Sequence, residues 1–134
     1  MSLVLDSCVF FDLAVLKERD TRHVFLDRRT EQDICYMTPI EVAEVDYRLR
    51  KDVDSTLADM MIATIKRGPL VRIVETIDLI ELASQARSRG VPPHIAFTGA
   101  LARRLDAPVL VAANQGNRVE QYQRLEGFCR VEVY

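Results

Sequence analysis

Apolar positions along the chain fall into two kinds of segment that alternate from one end to the other. Five short runs have strand character: residues 3–5, 34–37, 70–74, 109–113 and 128–134. The first, Leu3-Val4-Leu5, is apolar throughout and stops at Asp6, and the fourth, opening after Pro108, is equally apolar. Runs without a polar face suit strands covered on both sides, as in a parallel sheet. Between them, apolar residues recur at helical spacing. Positions 9, 10, 13, 14 and 16 mark a helix over 9–18, and 42, 45 and 49 mark one over 40–49 with Pro39 in its first turn. Positions 57, 61, 62 and 65 mark a helix over 55–65, capped by Asp54 or Ser55. Further helices are predicted over 77–86, after Pro92-Pro93 with 97, 101 and 105 on one face, and over 118–125, the last being short and polar. Gly68, Gly90 and Gly127 fall at helix ends. This alternation predicts a three-layer α/β/α sandwich around a mainly parallel sheet of about five strands, as a single domain over residues 1–134.

Composition changes this picture little. The net charge of −2 gives no global basic field, so any nucleic-acid surface must be local. The three cysteines, Cys8, Cys35 and Cys129, sit among apolar neighbours without a CxxC pair, which suits buried thiols in a reducing compartment. No apolar run reaches the ~18–20 residues that span a bilayer, and Asp6 interrupts any leader core, so a soluble cytoplasmic protein is expected. The fifteen arginines are spread along the chain. The small basic groups at Arg28-Arg29, at Arg48, Arg50 and Lys51, and at Arg103-Arg104 read as solvated faces before they read as phosphate contacts. Met60, Met61 and Ile62 suit core packing, or pairing with a second copy.

Open parallel sheets bind ligands beyond the carboxyl ends of their strands, near the point where strand order reverses. That directs attention to Asp6 and to the residues after Val111. Asp6 reads equally as a crevice carboxylate and as the N-cap of the next helix. In Thr38-Pro39-Ile40-Glu41-Val42-Ala43-Glu44-Val45, Thr38 caps a helix and Glu41 holds the capping-box position. Glu44 lies one turn on and shares a face with Glu41.

The segments LVLDS at 3–7 and TPIEVAEV at 38–45, with the order of elements around them, resemble the PIN-domain family. The resemblance implies a metal-dependent endoribonuclease of toxin–antitoxin type (VapC-like). Its carboxylates would gather Mg²⁺ or Mn²⁺, and its partners would be RNA, an antitoxin-like protein and a second copy of the chain. Mg²⁺ takes oxygen ligands and keeps several waters, one of which can be activated against phosphorus. The pattern assigns the catalytic acids to Asp6 and Glu44. Its third acid position falls on His94 or Ile95 and its fourth on Ala113 or Asn114, none of them a carboxylate. The implied metal set is therefore Asp6, Glu44, Asn114 and His94, in which the imidazole favours Mn²⁺ and softer ions over Mg²⁺. An alternative for His94 is a backbone-bonded or exposed ring at a helix start. Asp12 and Asp46 are nearby acids, whereas Asp106 precedes the fourth strand and belongs to the opposite edge. The expected function is a PIN-like domain with a weakened or silent site that acts by binding or regulation. The alternative is an active nuclease using the reduced acid set.

Overall fold

A computed structural model describes residues 1–134. Strand β1 (Ser2–Leu5) leads into helices α1 (Ser7–Val15) and α2 (Thr21–Gln32), then β2 (Ile34–Met37), α3 (Pro39–Asp52) and α4 (Ser55–Arg67). The edge strand β3 (Arg72–Ile73) is followed by a 3-10 turn (Ile77–Leu79) and α5 (Ile80–Arg87). Helix α6 (Pro93–Leu105), β4 (Val109–Val111), α7 (Gly116–Gln123) and β5 (Val131–Val133) complete the chain.

All four strand pairings are parallel, in the order β3-β2-β1-β4-β5. The expected α/β/α sandwich is therefore present. Leu3, Val4 and Leu5 in β1 and Val109, Leu110 and Val111 in β4 are wholly buried, as the unbroken apolar runs require. The chain leaves β1 to build β2 and β3 on one side, then returns to build β4 and β5 on the other. Strand order thus reverses between β1 and β4, and the crevice beyond their carboxyl ends is bordered by Asp6 and by the turn after Val111.

Helix α6 runs closest to the core, with Ile95, Ala96, Thr98, Gly99, Ala100, Leu101 and Ala102 all buried. A Cβ on Gly99 would lie 2.6 Å from Leu125 Cδ1. The missing side chain therefore lets the segment after α7 press against α6.

One helix is additional to the expected set and two expected strands are shorter. Helix α2 is full length, although its sequence carries only three adjacent apolar residues, at 24–26; Asp20 caps it, and Leu26 and Thr30 bury its inner edge. The third apolar run pairs only at Arg72 and Ile73, as a two-residue edge strand, and the fifth only from Val131. Gly68, Gly90 and Gly127 all adopt positive φ at helix ends, and Asp106 does the same at φ 47° after α6. Met60 is 60% exposed, while Met61 and Ile62 pack onto the core. All three cysteines are free thiols, and no helix is long and apolar enough to cross a membrane.

Candidate functional site

Asp6 meets both readings made from the sequence. It is the N-cap of α1, accepting the Cys8 N–H at 3.1 Å, and its carboxylate lies at the floor of the crevice with no exposed surface. Both oxygens are engaged by Arg118, whose Nε donates to Oδ2 and whose Nη2 donates to Oδ1, each at 2.8 Å. The Tyr122 hydroxyl donates to Oδ1 at 2.7 Å. Two oxygens thus accept four hydrogen bonds, about the full capacity of a carboxylate.

Glu41 is the second buried acid. Helix α3 starts as expected, with Thr38 Oγ1 accepting the Glu41 N–H. The Glu41 side chain, however, does not turn back as a capping box. Its Oε2 accepts the Ser7 N–H at 2.8 Å and Arg118 Nη2 at 3.2 Å, and its Oε1 accepts the Thr98 hydroxyl at 3.0 Å. Arg118 Nη2 also lies 3.1 Å from Ser7 Oγ. One guanidinium therefore ties together β1, α1 and α3 from a position on α7. It stands in the first turn of that helix, where a cation opposes the macrodipole, and the Asp6 carboxylate supplies the compensating charge.

Electrostatics follow from this packing. Burial, and next the charge of Asp6, push the Glu41 carboxyl up to about 8, against the opposing pull of Arg118 and the Ser7 N–H. Burial opposes the charge on Arg118, but Asp6 and Glu41 outweigh it and hold the guanidinium ionised more firmly than usual. Burial and Asp6 also raise Tyr122, which stays a donor.

The remaining residues expected at the site are placed differently. Glu44 and His94 are half-buried and lie near enough for charge to act between them. Burial, and next the Arg118 charge, lower the His94 pKa, while Asp6 and Glu44 oppose that shift. Neither hydrogen-bonds to Asp6, whose side-chain partners are Arg118 and Tyr122. Asn114 is exposed in the turn after β4 and is not among those partners. Ile95 is wholly buried in the core. Asp12 is buried but accepts the Tyr134 hydroxyl at 2.7 Å, Asp46 pairs with Arg50 on the surface, and Asp106 closes α6 at the opposite edge. The acid that joins Asp6 is therefore Glu41, one turn before Glu44, and it meets a guanidinium instead of a third carboxylate.

A divalent metal of the Mg²⁺ or Mn²⁺ type fits these residues poorly. Such ions need several free oxygen ligands at roughly 2.0–2.2 Å in near-octahedral array. Here the carboxylate lone pairs already accept protein donors, a fixed cation lies between the two acids, and no three His, Cys, Asp or Glu side chains converge as ligands.

No known protein-family model matches the sequence, and no curated protein matches it. Solved structures do. VapBC2 from Rickettsia felis, determined bound to a promoter DNA fragment, superposes with a TM-score of 0.70 at 14% identity, covering 100% of this chain and 99% of the other. FitAcB from Neisseria gonorrhoeae gives 0.71 at 16%, covering 96% and 95%. VapC20 from Mycobacterium tuberculosis, a sarcin-ricin-loop-cleaving toxin, gives 0.65 at 17%, covering 80% and 86%. The fold is PIN-like. The PIN-like fold accounts for the crevice at the β1/β4 reversal. It does not carry over the chemistry of those proteins at such low identity.

Three members of the cluster, Arg118, Tyr122 and Thr98, were not singled out from sequence. Arg118 and Tyr122 stood in a helix read only as polar, yet their spacing of four puts them on one face directly after the fourth strand. Thr98 bears the same relation to His94 on α6, which carries both toward the crevice.

Proposed function

We propose that this protein is a PIN-like domain of toxin–antitoxin type that acts by binding a protein partner, with its acid crevice closed to metal and to phosphodiester hydrolysis. The observation that carries the reading is the bidentate Arg118–Asp6 pair, extended to Glu41. An acid held this way is a structural counter-ion, and displacing the guanidinium would leave a buried, unpaired charge. The partner chemistry is that of an antitoxin-like polypeptide, as the similarity to VapBC2 supports.

A second reading rests on Glu44 and His94. Both are half-buried, and the charges of Asp6 and Glu44 act on the imidazole. If Arg118 swung out and these side chains moved together, Asp6, Glu41, Glu44 and His94 would supply a reduced ligand set for Mn²⁺ or Mg²⁺ and an endoribonuclease site.

Calorimetric titration of Mn²⁺ and Mg²⁺ into the purified protein, beside an Asp6→Asn/Glu44→Gln variant and with an RNA cleavage assay, separates the two. The binding-domain reading expects no saturable uptake up to several millimolar and no metal-dependent cleavage. Micromolar binding that the variant loses, with cleavage, would replace it by the nuclease reading.

A further inference from the structure

We infer that the Asp6–Glu41 pocket is a guanidinium-recognition site in its own right, filled by the tethered guanidinium of Arg118 and able to take a free one when that side chain is cut back. The inference rests on the binding-domain reading of the crevice but concerns what the pocket selects.

Three features of the geometry point to a planar cation. The Nε and Nη2 edge of Arg118 meets the two Asp6 oxygens in parallel, both at 2.8 Å, which is the fork arrangement that a guanidinium makes and a spherical ion cannot. Glu41 Oε2 and Ser7 Oγ then accept from the same Nη2 at 3.2 and 3.1 Å, so three groups fix the plane. The outer lone pairs of the acids are satisfied by Tyr122, Cys8 N–H, Ser7 N–H and Thr98. These donors belong to α1, α6 and α7, and they hold the acids in place without help from Arg118.

The pocket also opens to solvent on one side. The Arg118 side chain is 14% exposed while both acids are fully buried, so a ligand replacing it would enter along the path its stem now occupies. Arg118→Ala keeps Cβ and removes the atoms from Cγ outward, which are the atoms of ethylguanidinium.

The test is thermal unfolding of Arg118→Ala over a series of low-millimolar ethylguanidinium concentrations, with tetramethylammonium, urea and Mn²⁺ as comparison solutes. A ligand that binds only the folded state raises Tm with concentration. The expected result is a lowered Tm that ethylguanidinium raises progressively and the comparison solutes do not, with no rescue in Arg118→Ala/Asp6→Asn. Should Arg118→Ala be unfolded by itself, the folded fraction recovered with ethylguanidinium, read by circular dichroism, is the equivalent readout. Absence of rescue, or equal rescue by tetramethylammonium, overturns the inference. Stronger rescue by Mn²⁺ overturns it too, since the vacated pocket would then be a metal site. Failure of the binding-domain reading shows elsewhere, as metal uptake by the protein with Arg118 in place.

Discussion

Tyr122 stands one helical turn beyond Arg118, and both side chains end on the same oxygen of Asp6, at 2.7 and 2.8 Å. A single face of α7 therefore supplies a full charge and a neutral hydroxyl to one buried carboxylate. Removal of the hydroxyl alone is the mildest probe of this arrangement. Tyr122→Phe keeps the ring in its buried slot and deletes one hydrogen bond to an ionised acceptor, which should cost about 1.5–3 kcal/mol. Urea unfolding compared with the parent measures it. A cost below a few tenths of a kcal/mol would mean that Asp6 recruits another donor, and that the four-bond description is wrong.

The charge pair should behave more severely. Asp6→Asn leaves Arg118 facing one buried acid, and Arg118→Met leaves both acids without their cation. Each should cost about 3–5 kcal/mol, because an uncompensated charge stays buried. The double variant Asp6→Asn/Arg118→Met removes both ends of the pair and should cost clearly less than the sum of the singles. A double-mutant cycle by chemical denaturation measures the difference. Strict additivity would show that Asp6 and Arg118 are not energetically coupled.

Much of the fold was legible in the apolar pattern because the parallel sheet demands it. Leu3-Val4-Leu5 and Val109-Leu110-Val111 read as doubly covered strands and are wholly buried. Helix α2 was less legible. Its stability comes from the Asp20 cap and from Leu26 and Thr30 docking, which leave little periodicity in a polar segment. At the site, Asp6 was identifiable because a carboxylate ending a buried strand has only a few uses. The choice between Glu41 and Glu44 was not, since both lie on one helix face and the pattern favours the second. What brings Glu41 beside Asp6 is the Ser7 N–H and the Thr98 hydroxyl, one from α1 and one from α6, both facing it. Arg118 escaped notice for a related reason. In the sequence it is one of fifteen scattered arginines, and only the fold brings it to Asp6.

The seat of α7 depends on a residue outside the polar cluster. Gly99 on α6 faces Leu125 and Cys129, and a methyl group there would stand 2.6 Å from Leu125 Cδ1. Leu125 is wholly buried and has little room to turn away. Gly99→Ala should therefore cost about 1–3 kcal/mol by overpacking, despite the better helix propensity of alanine. The displacement should loosen α7 and raise amide exchange around Arg118 and Tyr122. Unchanged stability and exchange would show that α7 is seated by the polar cluster alone.

Glu41 gives the site a dependence on pH whose sign differs from that of an ordinary buried ion pair. Its carboxyl is raised in the folded protein from 4.5 to about 8, through burial first and the Asp6 charge second. Between those values the folded state holds a proton that the unfolded chain has released, so stability must fall as pH rises. The contribution is fully present below the unfolded value of 4.5 and is lost as pH climbs through about 8. Each pKa unit corresponds to about 1.4 kcal/mol, so the full effect is on the order of a few kcal/mol. His94 works in the opposite sense. Its lowered pKa contributes stability above the unfolded value of 6.5, which is lost as pH falls through the folded value. Comparison with Glu41→Gln separates the two, because His94 titrates in both proteins. The amide oxygen keeps an acceptor for the Ser7 N–H, the amide NH2 can donate to the Thr98 hydroxyl, and the group cannot ionise. Urea unfolding from pH 5 to 8 should show the parent losing stability relative to Glu41→Gln as pH rises. A difference that stays flat, or that grows in favour of the parent, would mean that Arg118 keeps Glu41 ionised throughout and that the pair is a simple salt bridge.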